Sequence, residues 1–114
     1  MNINQFEIWI ADLNPNFGTE AGKVRPVLVI QTNLLNEIGH PSTLVCPITT
    51  NVQNAEFLRV NIPEKTCGLN ENCDVMIDQI RSIDNKRFLK KVGNLSQTKS
   101  KKVKQNLKIV LDLE

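Results

Sequence analysis

The sequence predicts a mainly β chain, a small twisted antiparallel sheet or barrel closed by one C-terminal α-helix. Three observations carry this. Short β-branched or alternating apolar runs recur between residues 6 and 80, turn-forming glycine and proline punctuate the gaps, and a period of 3.6 appears only near the C-terminus. The length of 114 residues fits one domain, residues 1–114, and the 40% hydrophobic and 23% charged content is that of an ordinary globular chain. A chain of this size buries about two-thirds of its unfolded surface and needs no metal or disulfide staple.

Residues 6–13 mix alternating and continuous apolar character, which suits a largely covered strand. Residues 14–23, broken by Pro15, Gly18 and Gly22, form a loop. Pro26 then opens the β-branched run Val27, Leu28, Val29 and Ile30, a central strand. After a second polar loop over residues 32–42 comes a strand at 43–48, whose Pro47 places it at an edge or a bulge. Residues 57–62 alternate with Leu58, Val60 and Ile62 on one face. Residues 74–80 put Val75, Ile77 and Gln79 on one face and Met76, Asp78 and Ile80 on the other.

Helical signals come last. Asp84 is placed to cap a short turn through Lys91, which Gly93 stops, and Ser96 or Thr98 begins a second helix. In that helix Val103, Leu107, Val110 and Leu111 recur at i, i+4, i+7 and i+8, one apolar stripe facing the sheet. Its lysines sit in the first turns and its acids at the end, the reverse of what the macrodipole favours.

The net charge of +2 conceals a split. Residues 85–111 hold nine of the fourteen cations and no acid, which leaves a net −7 on the other 87 residues. A basic block of this kind suits an anionic partner, either nucleic acid or an acidic protein segment, or serves as a solvated lysine face. No apolar run is long enough to span a membrane, and Glu7, Asp12 and Glu20 interrupt any secretion signal. Cys46, Cys67 and Cys73 lack a C-x-x-C pair and read as free thiols of a cytoplasmic protein. His40 is the one histidine, so neither a histidine acid–base pair nor a metal-ligand set is expected.

The local feature with chemical content is the loop G-T-E-A-G-K-V-R-P at 18–26. Gly18 and Gly22 let backbone N–H groups approach an anion, and Arg25 supplies a planar fork suited to a phosphodiester. Because proline follows, Arg25 is held extended and its side chain has a restricted direction. Alternatively, Arg25 pairs with Glu20 or Asp78 and locks the loop.

Four blocks in order, E-I-W-I-A-D-L-N-P at 7–15, G-T-E-A-G-K-V-R-P-V-L-V-I at 18–30, C-P-I-T at 46–49 and D-Q-I-R-S-I-D at 78–84, resemble the MazF/PemK (Kid) growth-inhibiting toxins of bacterial toxin–antitoxin pairs. The resemblance covers nearly the whole chain. It implies a homodimeric SH3-like barrel of the CcdB/MazF type, and a cofactor-free endoribonuclease that cuts single-stranded RNA at short sequences without metal. It also implies neutralisation by an acidic, MazE-like antitoxin.

The resemblance carries catalytic roles to Arg25 and Thr49, and matches Glu20 and Asp78 to the family's acidic positions. Gly18, Thr19, Gly22, Lys23, Asp78, Gln79 and Arg81 become RNA-binding or supporting residues. Two positions depart from the pattern: Ala21 stands where the loop carries glutamine, and Met76 where the Kid-like branch carries arginine. For attack by a ribose 2′-OH, an arginine is a poor proton acceptor, so Glu20 is the first candidate base and Asp78 the second. Two other classes share the barrel: a CcdB-like toxin that binds DNA gyrase without cutting RNA, and an inactive SH3-like binding module.

Overall fold

The computed structural model describes residues 2–15 and 17–114. Seven strands form one antiparallel sheet: β1 (Glu7–Asp12), β2 (Val24–Val29), β3 (Ser42–Thr49), β4 (Arg59–Ile62), β5 (Cys73–Met76), β6 (Arg81–Asp84) and β7 (Phe88–Asn94). A short helix α1 (Asn33–Glu37) joins β2 to β3, and α2 (Gln97–Val110) ends the chain. The strand order is β4-β5-β3-β2-β1-β7, with β6 also paired to β3. This is the expected mainly β, barrel-like sheet with a C-terminal helix. Among the described residues, no helix is long and apolar enough to cross a membrane.

β3 is the centre of the sheet. Along one side Val45, Cys46 and Pro47 pair with Val29, Leu28 and Val27 of β2. Along the other, Ser42 to Val45 pair with β6, and Ile48 and Thr49 pair with Val75 and Asp74 of β5. Pro47 is therefore not on an edge. It is accommodated because the second neighbour changes between Val45 and Ile48, so that side requires no ladder hydrogen bond from it. Pro26 lies within β2, opposite Ile10 of β1 and one residue before the pairing with β3 begins.

Alternating side chains build two cores on opposite faces of the sheet. Ile8, Leu28, Cys46, Ile48, Val60, Ile62 and Val75 pack with Val103 of α2. Trp9, Ala11, Val27, Val29, Val45, Ile83 and Phe88 form the second, with Trp9 and Phe88 edge to face at 5.6 Å. Fully burying a side chain such as Val103 contributes about 1.5–3 kcal/mol. Leu107 and Val110 pack at the margin of the first core, whereas Leu111, expected in the stripe, caps the helix and is 47% exposed. Asn106 takes a fully buried place instead.

Four local expectations are corrected. Ser96, as expected, caps α2 by accepting from Lys99 N–H, but the helix expected from Asp84 to Lys91 is one 3-10 turn, Asn85–Arg87, followed by β7. Asp84 does cap it, accepting from Lys86 N–H at 2.8 Å, but Phe88 is drawn into the second core and extends the chain. The strand expected over 74–80 ends at Met76, and a 3-10 turn at Ile77–Gln79 breaks its alternation. β4 begins only at Arg59, because Phe57 is left-handed (φ 67°) and Leu58 remains 39% exposed. Within the loop expected at 32–42, Thr32 caps the five-residue α1, which has no buried residue and so no periodic signal.

Gly93 does not stop a helix. It lies in β7 where the backbone at Cys67 and Gly68 crosses, and a Cβ there would sit 2.1 Å from the Cys67 carbonyl oxygen. A Cβ on Gly68, whose φ is +84°, would sit 2.0 Å from the Val92 carbonyl oxygen. The Gly93→Ala variant is expected to lose about 1–3 kcal/mol, the usual cost of overpacking. A denaturant midpoint equal to wild type would refute the crossing.

Part of the basic block is spent inside the fold. Arg87 donates to the carbonyl oxygens of Asp12 and Asn14, and Lys91 pairs with buried Glu7 at 2.9 Å. Burial pushes the Glu7 carboxyl up, but hydrogen bonds from Trp9, Lys91 and Asn4 outweigh it and hold the pKa below 4.5. A lowered folded-state pKa gives stability that is complete above the unfolded value and is lost as pH falls through the folded one. Glu7→Gln is therefore expected to cost about 1–3 kcal/mol at pH 7 and to flatten the stability profile below pH 4.5. Parallel wild-type and variant acid profiles would contradict this.

Candidate active site

The register of β2 against β3 places the two residues of interest. The pairing of β2 with β3 ends at Val27 and Pro47, and two residues beyond it on each strand stand Arg25 and Thr49, whose side chains by strand alternation share the face of Val27 and Pro47. Both side chains are half-buried, and both line a recess of about 380 Å³ at the end of the strands. Lys23, Thr50 and Asn51 complete its polar lining, with Val24, Pro26 and Ile48 as its apolar part. Its lining holds two cations, Lys23 and Arg25, and no acid. On the other side of Thr49 and Thr50, a recess of about 260 Å³ runs to Leu69 and Cys73.

Arg25 Nε donates to the Gly22 carbonyl at 2.7 Å, which fixes the guanidinium plane. Thr49 Oγ1 accepts from Asn51 N–H at 3.1 Å. That bond occupies an acceptor position of the hydroxyl and leaves its proton to donate. The recess thus combines a fixed positive fork with a hydroxyl donor, a pairing suited to an anionic oxygen.

The glycine-bracketed loop is pinned from the 78–81 block. Ala21 N–H donates to Gln79 Oε1 at 3.3 Å, Gln79 Nε2 donates to Thr19 O at 3.3 Å, and Arg81 donates to Ala21 O at 3.3 Å. Gln79 and Arg81 therefore grip the loop backbone. Lys23 N–H donates to Asn14 Oδ1, and Lys23 takes a left-handed φ of 68°. Gly18 is also left-handed, whereas Gly22 is buried and contributes its carbonyl to Arg25. Thr19 and Glu20 are exposed on this loop, outside the lining of the Arg25 recess. Asp78 is exposed as well, and its charge is felt by Cys46.

Two of the three thiols, Cys46 and Cys73, are buried and held in the protonated form. Burial, with Asp78 nearby, pushes Cys46 up to about 12, and burial with Asp74 beside it pushes Cys73 up to about 11. Among the described residues, no three His, Cys, Asp or Glu side chains converge as a ligand set. Sequence reasoning did not find Thr50 and Asn51; their only signal was adjacency to the C-P-I-T block.

Beyond Thr49 the polar face continues. Thr49 faces Asp74 of β5, and Asp74 faces Asn61 of β4, so Thr49, Asp74 and Asn61 form one row across three strands, with Arg25 across the recess from Thr49. Asp74 is 1% exposed and accepts from Gln53 N–H, Arg59 and Asn61, an ion pair within a hydrogen-bonded cluster.

The chain is thus a small antiparallel barrel-like domain closed by a C-terminal helix, with an acid-free cationic recess at the strand ends. The chain belongs to the PemK-like, MazF-like toxin family of type II toxin–antitoxin systems, whose model matches residues 4–111. It is 36% identical over 114 residues to the endoribonuclease EndoA of Bacillus subtilis, covering 99% of this chain and 97% of that one. It is 33% identical over 111 residues to the endoribonuclease MazF9 of Mycobacterium tuberculosis, covering 94% of each. The fold matches the crystal structure of MazF from Deinococcus radiodurans with a TM-score of 0.85 at 22% identity, over 99% of both chains.

Proposed function

We propose that residues 1–114 are one toxin domain of a type II toxin–antitoxin pair, which acts in the cytoplasm by cutting single-stranded RNA. The observation that carries this reading is the meeting of Arg25 and Thr49 on one cationic, acid-free recess. It is supported by the relatives named as endoribonucleases. In the proposed reaction a ribose 2′-OH attacks its own 3′-phosphate, and the bond to the 5′-oxygen breaks. The products are a 2′,3′-cyclic phosphate and a 5′-hydroxyl. Arg25, permanently charged, neutralises the phosphorane, and the Thr49 hydroxyl donates to a phosphate oxygen. Glu20 accepts the 2′ proton from its place on the pinned loop, with Asp78 as the alternative, and the leaving 5′-oxygen takes its proton from water. Gly18, Thr19, Gly22 and Lys23 shape the loop toward the anion, held by Gln79 and Arg81.

The active form is proposed to be a two-fold dimer. Leu58, Ile109 and Leu113, all large and 39–59% exposed, are the apolar side chains that an isologous contact would cover. The antitoxin is proposed to lay an acidic disordered segment on the lysine face of α2, where Lys99, Lys101 and Lys102 line a recess of about 570 Å³.

Arg25→Ala is expected to slow cleavage about 10²- to 10³-fold, and Thr49→Ala somewhat less, the usual cost of one transition-state donor. Mapped ends should be 5′-hydroxyls, with activity persisting in EDTA; 5′-phosphate ends or wild-type rates in either variant would refute the assignment. Sedimentation at micromolar concentration should give twice 12.9 kDa, and a monomer would exclude the dimer. Converting Lys101, Lys102 and Lys104 to glutamine should slow antitoxin association several-fold at low salt and little at high salt. An unchanged salt slope would make this surface a merely solvated face.

A further inference from the structure

At the far end of the polar row lies a second recess, of about 210 Å³, closed by the 53–57 loop, Arg59, Asn61, Asp74 and, from α2, Lys102 and Asn106. The Asp74 carboxylate is fully engaged by Gln53, Arg59 and Asn61. Asn106 is the opposite case: it is 1% exposed, and among the described residues its Nδ2 has no hydrogen-bond partner. Buried amides are almost always paired, so an unused donor on a side chain that lines a recess points to an acceptor that it meets by turning toward that recess.

We propose that this recess receives one nucleobase of the RNA strand cut at Arg25 and Thr49, a carbonyl oxygen or ring nitrogen of the base accepting from Asn106 Nδ2. The inference rests on the ribonuclease reading and adds the place where the strand is read. Position favours it. Asp74 and Asn61 follow Thr49 at successive strand spacings of about 4.8 Å, within reach of a nucleotide neighbouring the cleaved phosphate. Arg59, in the wall of the second recess, donates to the carbonyl of Asn51, in the wall of the first, at 3.0 Å. The two recesses are thus joined by one hydrogen bond.

Charge and size favour a base over a phosphate or a carboxylate. Arg59 and Lys102 are balanced by Asp74 and Glu56 in this lining, whereas the lining of the Arg25 recess holds two cations and no acid. The volume falls below the roughly 300–1,000 Å³ of a drug-sized site and suits one planar ring system. Phe57, 46% exposed at the rim, offers an aromatic face to an unstacked base. Asn106 thereby sets which base is accepted at one position near the cut.

The test uses Asn106→Ala, which removes the donor, and Asn106→Leu, which fills the recess with an apolar group in keeping with the helix stripe. Cut ends mapped on a long mixed-sequence RNA should lose discrimination at one nucleotide position, by about tenfold, the effect of one hydrogen bond. A second readout does not depend on cleavage. Uncleavable 2′-O-methyl homo-oligonucleotides of the four bases are added to 15N-labelled wild-type protein, and at least one should shift the Asn106 side-chain amide. Asn106→Leu should bind that oligonucleotide about tenfold more weakly. An unchanged cut-site profile together with an unmoved amide overturns the proposal, as does an amide shifted by an acidic peptide and by none of the four oligonucleotides. If the wild type cuts no RNA while an oligonucleotide moves the amide, the base site stands and the ribonuclease reading fails.

Discussion

Everything positioned at the recess depends on β3 having to satisfy two different neighbours along one of its sides. A strand flanked throughout by the same partners would have no room for Pro47 in its middle. Here β6 takes the first half, β5 the second, and the handover falls around the proline. Because β5 joins only at Ile48 and Thr49, the strand ends fan into a cleft on one side and continue as a sheet on the other. Arg25 is brought in by the β2 register, and Asp74 and Asn61 by β5 and β4. None of these side chains is near another in sequence.

The same face of the sheet changes character along its strands. At one end it packs Val27, Val29, Val45 and Phe88 into a core, and past Pro47 it carries Arg25, Thr49 and Asp74. Burying a carboxylate such as Asp74 is costly unless its lone pairs are occupied, and three donors occupy them. Among the described residues Asn106 Nδ2 has no such partner, which costs about 1–3 kcal/mol of desolvation without a bond in return. Local stability has been sacrificed at that position.

The sheet, its antiparallel character and the final helix were legible because period-2 runs and a 3.6 stripe are dictated by which face is buried. Val103 as helix core follows directly from sequence, and of the two expected caps, Ser96 and Thr98, the first is the one used. What failed was local chemistry overruled by distant packing: Asp84 and Gly93 read as helix boundaries, yet Phe88 and the Cys67–Gly68 crossing hold that segment extended. Arg25 stands out in its glycine-bracketed loop and Thr49 only through the resemblance of the C-P-I-T block, and nothing in the residues alone brings the two to one recess. Asp74, Asn61 and Asn106 were invisible as a group, since each sits unremarkably in its own element and only the pairing of β4, β5 and α2 unites them.

Gly68 and Gly93 touch backbone to backbone, each excluding a side chain from the other's position. The contact makes them one constraint, although 25 positions separate them. A side chain at either position requires the loop ahead of β5 and the last strand to separate, which would relieve Gly93, whereas Gly68 would still hold a left-handed φ of +84° that favours glycine. The loop bordering the Thr49 cleft is thus tied to the sheet through the absence of two side chains.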